Sequence, residues 1–299
     1  MLIYNPASGR QKFSQHLERV ESRFRNHGHD LAVFATEYPR QATEIARRAC
    51  VENYDYLIIA GGDGTFNECL NGIMDFDRRP IIGHIPAGTG CDIAHTLGIS
   101  KNVDKAMDVF FGNEPVRMDV VKSNDRYFTY VSGNGAFIDI SYVTDSKMKK
   151  RFGWLAYIFK AAEELFTIPK MRMKAVHDNG SVSGVFSLIL IINSKRVAGM
   201  NMIYKPILDD GKLDVVMYRN LYPFNWIAYL SSYFFPSWST PIVIRFRTET
   251  LKIETDTKSR WNVDGESGGL GNQNIHVCRQ AISIIVPDKI KDKYFRHRD

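Results

Sequence analysis

Gly61-Gly62-Asp63-Gly64-Thr65 sets three glycines around one carboxylate. The string follows an apolar run, Tyr56–Ala60, and precedes a segment of helical character, Phe66 to Met74. Glycines let a backbone approach an anion closely, and the free N–H groups at a helix start point toward it. This is the arrangement of a phosphate-binding βα turn. Asp63 is foreign to a simple phosphate cradle, so it points to a metal–phosphate ligand or to a carboxylate that takes part in the chemistry. No Gly-Lys-Ser/Thr follows, which excludes a Walker A loop, and the glycine spacing is not that of a dinucleotide fingerprint. A tight turn that merely needs glycines is the plain alternative.

Two other strand-like segments end in similar loops, Asn5-Pro6-Ala7-Ser8-Gly9-Arg10 and Pro86-Ala87-Gly88-Thr89-Gly90. Further acidic groups occur at Asp264-Gly265-Glu266 and in Leu208-Asp209-Asp210-Gly211-Lys212-Leu213-Asp214. On pattern alone both read as β-turns, Asp-Gly being a common hairpin turn.

The elements that must position these groups fall into two halves. The first third alternates strands and helices: a strand at Leu2–Asn5, a helix over Lys12–Asn26, a strand at Leu31–Thr36 and a helix over Arg40–Val51. Tyr56–Ala60, Phe66–Met74, Ile81–Ile85 and Cys91–Leu97 continue the alternation. Such β/α order predicts a doubly wound, mostly parallel sheet. Loops at the carboxyl ends of its strands converge on one crevice, so the three glycine-bearing loops predict a nucleotide cleft. Beyond residue 114 the pattern becomes predominantly antiparallel β, with hairpins around Ser123–Arg126 and Asp178–Ser181 and two helical insertions. Strands are expected at Leu213–Tyr218, Ile242–Arg247, Leu251–Thr255, Ile275–Cys278 and Ile282–Val286. The expected domains are 1–114, joined by the charged tail 287–299, and a β-rich acceptor domain, 115–286.

Composition is that of an ordinary soluble chain: 299 residues, 44% hydrophobic, 24% charged, net charge +6. The modest basic balance favours anionic partners. Cys50, Cys69, Cys91 and Cys278 are scattered, which argues against disulfides or structural zinc and for a reducing cytoplasm. No signal peptide, transmembrane run or nucleic-acid signature is evident, and the histidines, His84 and His95 included, show no metal spacing. An exposed β edge would allow a homodimer.

Gly61-Gly62-Asp63-Gly64-Thr65-Phe66-Asn67-Glu68 resembles the nucleotide motif of the diacylglycerol kinase catalytic-domain family, of the soluble bacterial lipid kinase type. Asn5–Gly9 resembles that family's first-strand loop, Pro86–Asp92 its Gly-Thr-x-Asn-Asp block, and Asp264-Gly265-Glu266 a motif near its C-terminus. Cys91 departs from the pattern, standing where the family has asparagine. The resemblance implies ATP with Mg²⁺ in the inter-domain cleft. Its contacts would be Asn5, Pro6, Ala7, Ser8, Gly9, Thr36, Gly61, Gly62, Asp63, Gly64, Thr65, Asn67, Glu68, Gly88 and Thr89, while Arg10 is as well explained as a solvated loop residue. It implies Glu266 as general base assisted by Asp63, because a lipid hydroxyl needs its proton removed to attack. It also implies a second, structural Mg²⁺ on the Asp210 carboxylate and the carbonyls of Ile207 and Lys212, an oxygen set suited to that ion.

The implied activity is ATP-dependent phosphorylation of a lipid hydroxyl, with diacylglycerol leading and the inner membrane face as the place of action. A kinase of a soluble acceptor such as NAD, and a binding protein that lost catalysis, are the alternatives. The aromatic segments Trp154–Phe166 and Leu221–Phe235 read as buried helices or as a lipid-facing entrance, the latter flanked by Lys147, Lys149, Lys150 and Arg151.

Overall fold

The computed structural model describes residues 1–9, 13–136, 170–197, 200–201, 206–225, 227–229 and 239–296. Arg10, the segment Trp154–Phe166 with its flanking Lys147, Lys149, Lys150 and Arg151, and most of Leu221–Phe235 beyond Tyr229 lie outside the described residues.

The first half is built on β1 (Leu2–Tyr4), β2 (Val33–Ala35), β3 (Tyr56–Gly61) and β4 (Ile81–Pro86), all parallel, in the order β4-β3-β1-β2. Leu57, Ile58, Ile59 and Ala60 of β3 are all buried. A strand covered on both faces needs a continuous apolar run of this kind rather than an alternating one. Its helices are α1 (Leu17–Asn26), α2 (Gln41–Val51), α3 (Asp63–Ile73), α4 (Asp92–Thr96) and α5 (Val103–Gly112). The helix expected from Lys12 opens instead as a 3₁₀ turn, Phe13–His16. The sequence reading missed α5, although Asn102 caps it by accepting from the Lys105 amide at 3.1 Å.

The second half contains β5 (Pro115–Ser123), β6 (Arg126–Phe128), β7 (Val131–Gly135), β8 (Met171–His177) and β9 (Gly180–Ile192). A short pair, β10 (Arg196–Val197) and β11 (Met200–Asn201), precedes β12 (Leu213–Arg219), β13 (Val243–Thr248) and β14 (Thr250–Thr255). The hairpin β15 (Arg260–Val263) and β16 (Glu266–Leu270) leads into β17 (Gln273–Ile285). Pairing here is antiparallel, and Trp261, Phe128 and Phe186 are among the largest side chains in its core. Each such burial contributes about 1.5–3 kcal/mol.

β17 was expected as two strands. It is one, broken in register between Cys278 and Ile282, with Gln280 at φ 48°. The bulge interrupts the apolar alternation, and the alternation was the only signal available. β17 joins the two halves, pairing antiparallel with β5 and then parallel with β4 at Ile284 and Ile82. The tail helix α6 (Asp288–Tyr294) packs Ile290 against Gly98, and the Tyr294 carbonyl accepts from the Leu208 amide at 2.8 Å.

Asp119, in the middle of β5, is fully buried. Its two oxygens accept from the Gly211 and Gln280 amides, each at 2.7 Å, tying the turn before β12 to the β17 bulge. Burial pushes its carboxyl upward and the two amides oppose this. Asp119→Ala strands both donors and should cost about 2–5 kcal/mol, read as a lowered urea midpoint with an unchanged m-value.

Candidate active site

Three loops meet at the carboxyl ends of β1, β3 and β4. Their glycines serve first to bring backbone against backbone. Gly9, at φ +57°, leaves no room for a side chain beneath the Ala87 carbonyl. A Cβ on Gly88 would lie 2.5 Å from the Gly62 Cα. Gly64 differs, because a Cβ there would meet nothing within 4 Å. The space beside it is open. The first hydrogen bond of α3 runs from the Phe66 amide to the Gly62 carbonyl at 3.0 Å, so the amides of Asp63, Gly64 and Thr65 precede it, and no side chain caps the helix. Unsatisfied amides at a positive helix end, beside open space, suit a phosphate. Asn5 shapes the neighbouring loop by accepting from the Ala7 amide at 2.8 Å, and Pro6 and Ser8 lie within that turn. Thr36 lies at the end of β2, its amide donating to the Tyr4 carbonyl at 2.9 Å. Thr89 is exposed on the third loop, its carbonyl accepting from Lys101 Nζ at 2.7 Å.

Asp63 has a structural task that its sequence position conceals. Oδ2 accepts from the Asp92 amide at 2.9 Å and Oδ1 from the Ile93 amide at 3.1 Å. The carboxylate at the start of α3 thus caps α4 and locks the second loop to the third. Burial pushes its carboxyl upward, against the pull of those amides. Glu68, one turn later, lies beside the start of α2, and its carbonyl accepts from the Thr43 hydroxyl at 2.9 Å.

Cys91, at the cap of α4, adopts φ 57° and is buried with its thiol 3.9 Å from the Gly61 carbonyl. Asparagine tolerates this left-handed conformation far better than cysteine does.

Another carboxylate of the site is Asp264. It is buried, at φ 50°, in the turn between β15 and β16. Oδ1 accepts from the Tyr130 and Val131 amides at 3.2 and 2.9 Å, and Oδ2 from the Thr129 amide at 3.2 Å and Asn67 Nδ2 at 2.8 Å. Burial pushes its carboxyl up to about 7 despite the opposing pull of these N–H donors. All four partners are donors, so the pocket is built for the carboxylate. Asn67 Nδ2 also donates to the Tyr127 carbonyl at 3.0 Å. Asn71, one turn on, both accepts from the Tyr127 amide and donates to its carbonyl, each at 2.9 Å. Tyr130 closes the circuit, its hydroxyl donating to Asp92 Oδ2 at 2.7 Å. Asn67 therefore braces the two domains rather than standing free for a nucleotide.

The sequence reading missed Asn71 and Tyr130. The i, i+4 repeat of Asn67 and Asn71 in an otherwise apolar helix was a usable signal for the first. Nothing local marks Tyr130. Two residues beyond Asp264, Glu266 is about one-third exposed, at 32%, and faces Arg126 of β6, with Nη1 3.3 Å from Oε2. Glu68 is close enough for like-charge repulsion from Glu266 to help raise its carboxyl, after burial. A partly exposed carboxylate beside a guanidinium can take a proton from a hydroxyl brought to it. His84 is excluded from such a role: it is buried, with Nδ1 3.1 Å from the Ile59 carbonyl, and burial lowers it to about 4.

The Asp210 turn departs from its expectation. Both Asp210 oxygens are taken in a fork by Arg247, Nη1 to Oδ2 at 3.0 Å and Nη2 to Oδ1 at 3.1 Å. The Lys212 amide donates to Oδ1 at 3.1 Å, and Arg247 Nε lies 3.3 Å from Asp214 Oδ1. A divalent ion placed on Asp210, Ile207 and Lys212 would sit beside a guanidinium and meet its repulsion. As folded, the donor set does not suit the ion.

The chain matches the family model described as "Diacylglycerol kinase catalytic domain" over residues 1–123. Residues 136–286 match a second, "YegS C-terminal NAD kinase beta sandwich-like domain". It is 33% identical to a diacylglycerol kinase of Staphylococcus carnosus (strain TM300), covering 100% of this chain and 98% of that one. It is also 33% identical to one from Staphylococcus aureus (strain MRSA252), covering 100% and 95%. A crystal structure of a diacylglycerol kinase from Bacillus anthracis str. Sterne superposes with a TM-score of 0.79 over 97% of each chain, at 23% identity. That likeness shows the fold: an α/β domain with a mostly parallel sheet and an antiparallel β domain.

The loop geometry makes two opposite predictions. Gly88→Ala forces Gly62 away and should lower stability by about 1–3 kcal/mol and weaken nucleotide binding, measured by urea melts and calorimetric titration. Cys91→Asn relieves the left-handed cysteine and should raise stability by up to about 1 kcal/mol, with nucleotide affinity kept.

Proposed function

The chain belongs to the diacylglycerol kinase family, and from that membership we propose that it transfers the γ-phosphate of ATP to the hydroxyl of a diacylglycerol, with Glu266 as the general base. The observation that carries this reading is the placement of Glu266. It stands on the turn that Asp264 pins to α3, and the amides of Asp63, Gly64 and Thr65 open the same helix beside empty space. One helix thereby fixes both the phosphate end and the base.

The three loops hold the triphosphate, the helix-start amides facing its oxygens. Glu266 takes the proton of the lipid hydroxyl as its oxygen attacks the γ-phosphorus. The bond to the β-bridging oxygen breaks, ADP leaves with that electron pair, and Glu266 later gives the proton to solvent. Arg126 offsets repulsion between Glu266 and the incoming phosphate charge. A divalent cation, which we take to be Mg²⁺, neutralises the triphosphate when bound. Among the described residues no three acidic, histidine or cysteine side chains cluster to hold a bare ion. Asp63 is the carboxylate of the loop that would receive the phosphates, and it would face the cation they carry. We place the reaction at a membrane surface, where the acceptor resides. The domain division proposed is 1–114 with the tail for the nucleotide and 115–286 for the lipid.

Glu266→Gln should reduce the turnover of diacylglycerol by about 10²–10⁴-fold while ATP affinity and the melting midpoint stay unchanged; full activity in this variant defeats the assignment. Labelled ATP offered with NAD in place of lipid should give no product. Chelation of divalent ions should abolish turnover, and added Mg²⁺ should restore it. The same chelation should leave the melting midpoint of the nucleotide-free protein unmoved, because Arg247 already neutralises Asp210.

A further inference from the structure

Among the described residues, three of the exposed large hydrophobic side chains fall within six residues: Tyr222 at 57%, Phe224 at 57% and Ile227 at 42%. They sit just beyond β12 on a turn that is held in shape. The Asn220 amide donates to the Val185 carbonyl at 2.9 Å, the Tyr222 amide to Asn220 Oδ1 at 3.1 Å, and the Leu221 amide to Asn225 Oδ1 at 2.7 Å. Asn225 is itself fully buried. An apolar tip clamped this way is presented to solvent by the fold and is not a consequence of loose chain.

Its surroundings are basic. Lys170 Nζ stands 5.1 Å from the centre of the Tyr222 ring. Exposed Arg172 and Lys174 follow along the outward face of β8, Arg172 opposite exposed Val185. They border a shallow depression together with Gly184 and Glu254. Arg219 connects depression and tip, lying over the Phe186 ring at 5.5 Å and against Gly184. Aromatic and aliphatic side chains flanked by lysine and arginine match the layered chemistry of a bilayer surface, acyl boundary beneath anionic headgroups.

β7 connects the turn that carries Asp264 with the strands beside the tip. β7 begins at Val131, which holds Asp264, and ends at Gly135; the next amide, Ala136, donates to Ser187, adjacent to the Phe186 that pairs with Arg219. Five strand residues span about 17 Å, so this single strand runs from the turn that carries Asp264 toward the base of the tip.

We propose that Tyr222, Phe224 and Ile227 form a preformed wedge that enters the interfacial layer of an anionic bilayer, with Lys170, Arg172 and Lys174 against its headgroups. The role assigned to the wedge rests on the lipid kinase reading, but its binding to a bilayer does not.

The full chain is sedimented with vesicles of phosphatidylcholine alone and of phosphatidylcholine with phosphatidylglycerol, and turnover is measured on long-chain diacylglycerol in those vesicles and on a short-chain, water-soluble diacylglycerol. The wild type should bind the anionic vesicles and release them as salt rises. The combined variant Tyr222→Ser, Phe224→Ser, Ile227→Ser should bind about tenfold less and lose vesicle turnover in proportion, with short-chain turnover unchanged. Lys170→Gln with Arg172→Gln should weaken binding to anionic vesicles only. Wild-type vesicle binding by the triple variant overturns the proposal, as does a loss of self-association with vesicle binding intact, which would assign the tip to a second copy of the chain. Absence of turnover on every diacylglycerol would remove the kinase reading and leave the sedimentation result to decide the wedge on its own.

Discussion

A single buried carboxylate, Asp264, fastens a turn of the second half of this molecule to a helix of the first. It accepts four N–H donors: the consecutive amides of Thr129, Tyr130 and Val131, and the Asn67 side chain on α3. A charge so buried persists only where donors surround it, and removing one side of such an arrangement costs about 3–5 kcal/mol. The turn between β15 and β16 therefore has one position relative to α3. Glu266, two residues along, inherits that position.

The same helix start is tied to two partners. Asp63 caps α4, and Asn67 holds the turn between β15 and β16. Side chains at successive turns of α3 thus fix the surrounding loops before any ligand arrives. Gly88 against Gly62 and Gly9 against Ala87 then close the loops together. What remains open is the space at Gly64, bordered by free amides. Rigid placement of donors matters for phosphoryl transfer, because positioning and charge stabilisation supply most of the catalysis.

Charge placement in the second half follows a different logic. The acidic turn at Asp210 is balanced internally by Arg247, and Asp119 by two backbone amides. These groups fasten β5, β12, β13 and β17 to one another. Arg126, by contrast, faces the cleft beside Glu266, where a cation can answer phosphate charge. Positive charge is also displayed beside the apolar turn after β12, where a lipid surface would find it.

Much of this was legible in the chain. The βα alternation, the three glycine loops, the hairpin at Asp178–Ser181 and the motif from Gly61 to Glu68 depend on residues close in sequence, where local sterics and apolar periodicity act directly. They gave the parallel sheet, the antiparallel second half and the loops that would meet. The structure alone decided which partners the motif residues take. Asp63 and Asn67 look like ligand groups in the string, yet their partners, Asp92 and Asp264, lie 29 and 197 residues away. Whether Asp210 meets an ion or a guanidinium depended on Arg247, 37 residues on. A hydrogen bond extends about 3 Å and is blind to sequence distance, so spacing along the chain reveals that a polar group must be satisfied, and only packing selects its partner.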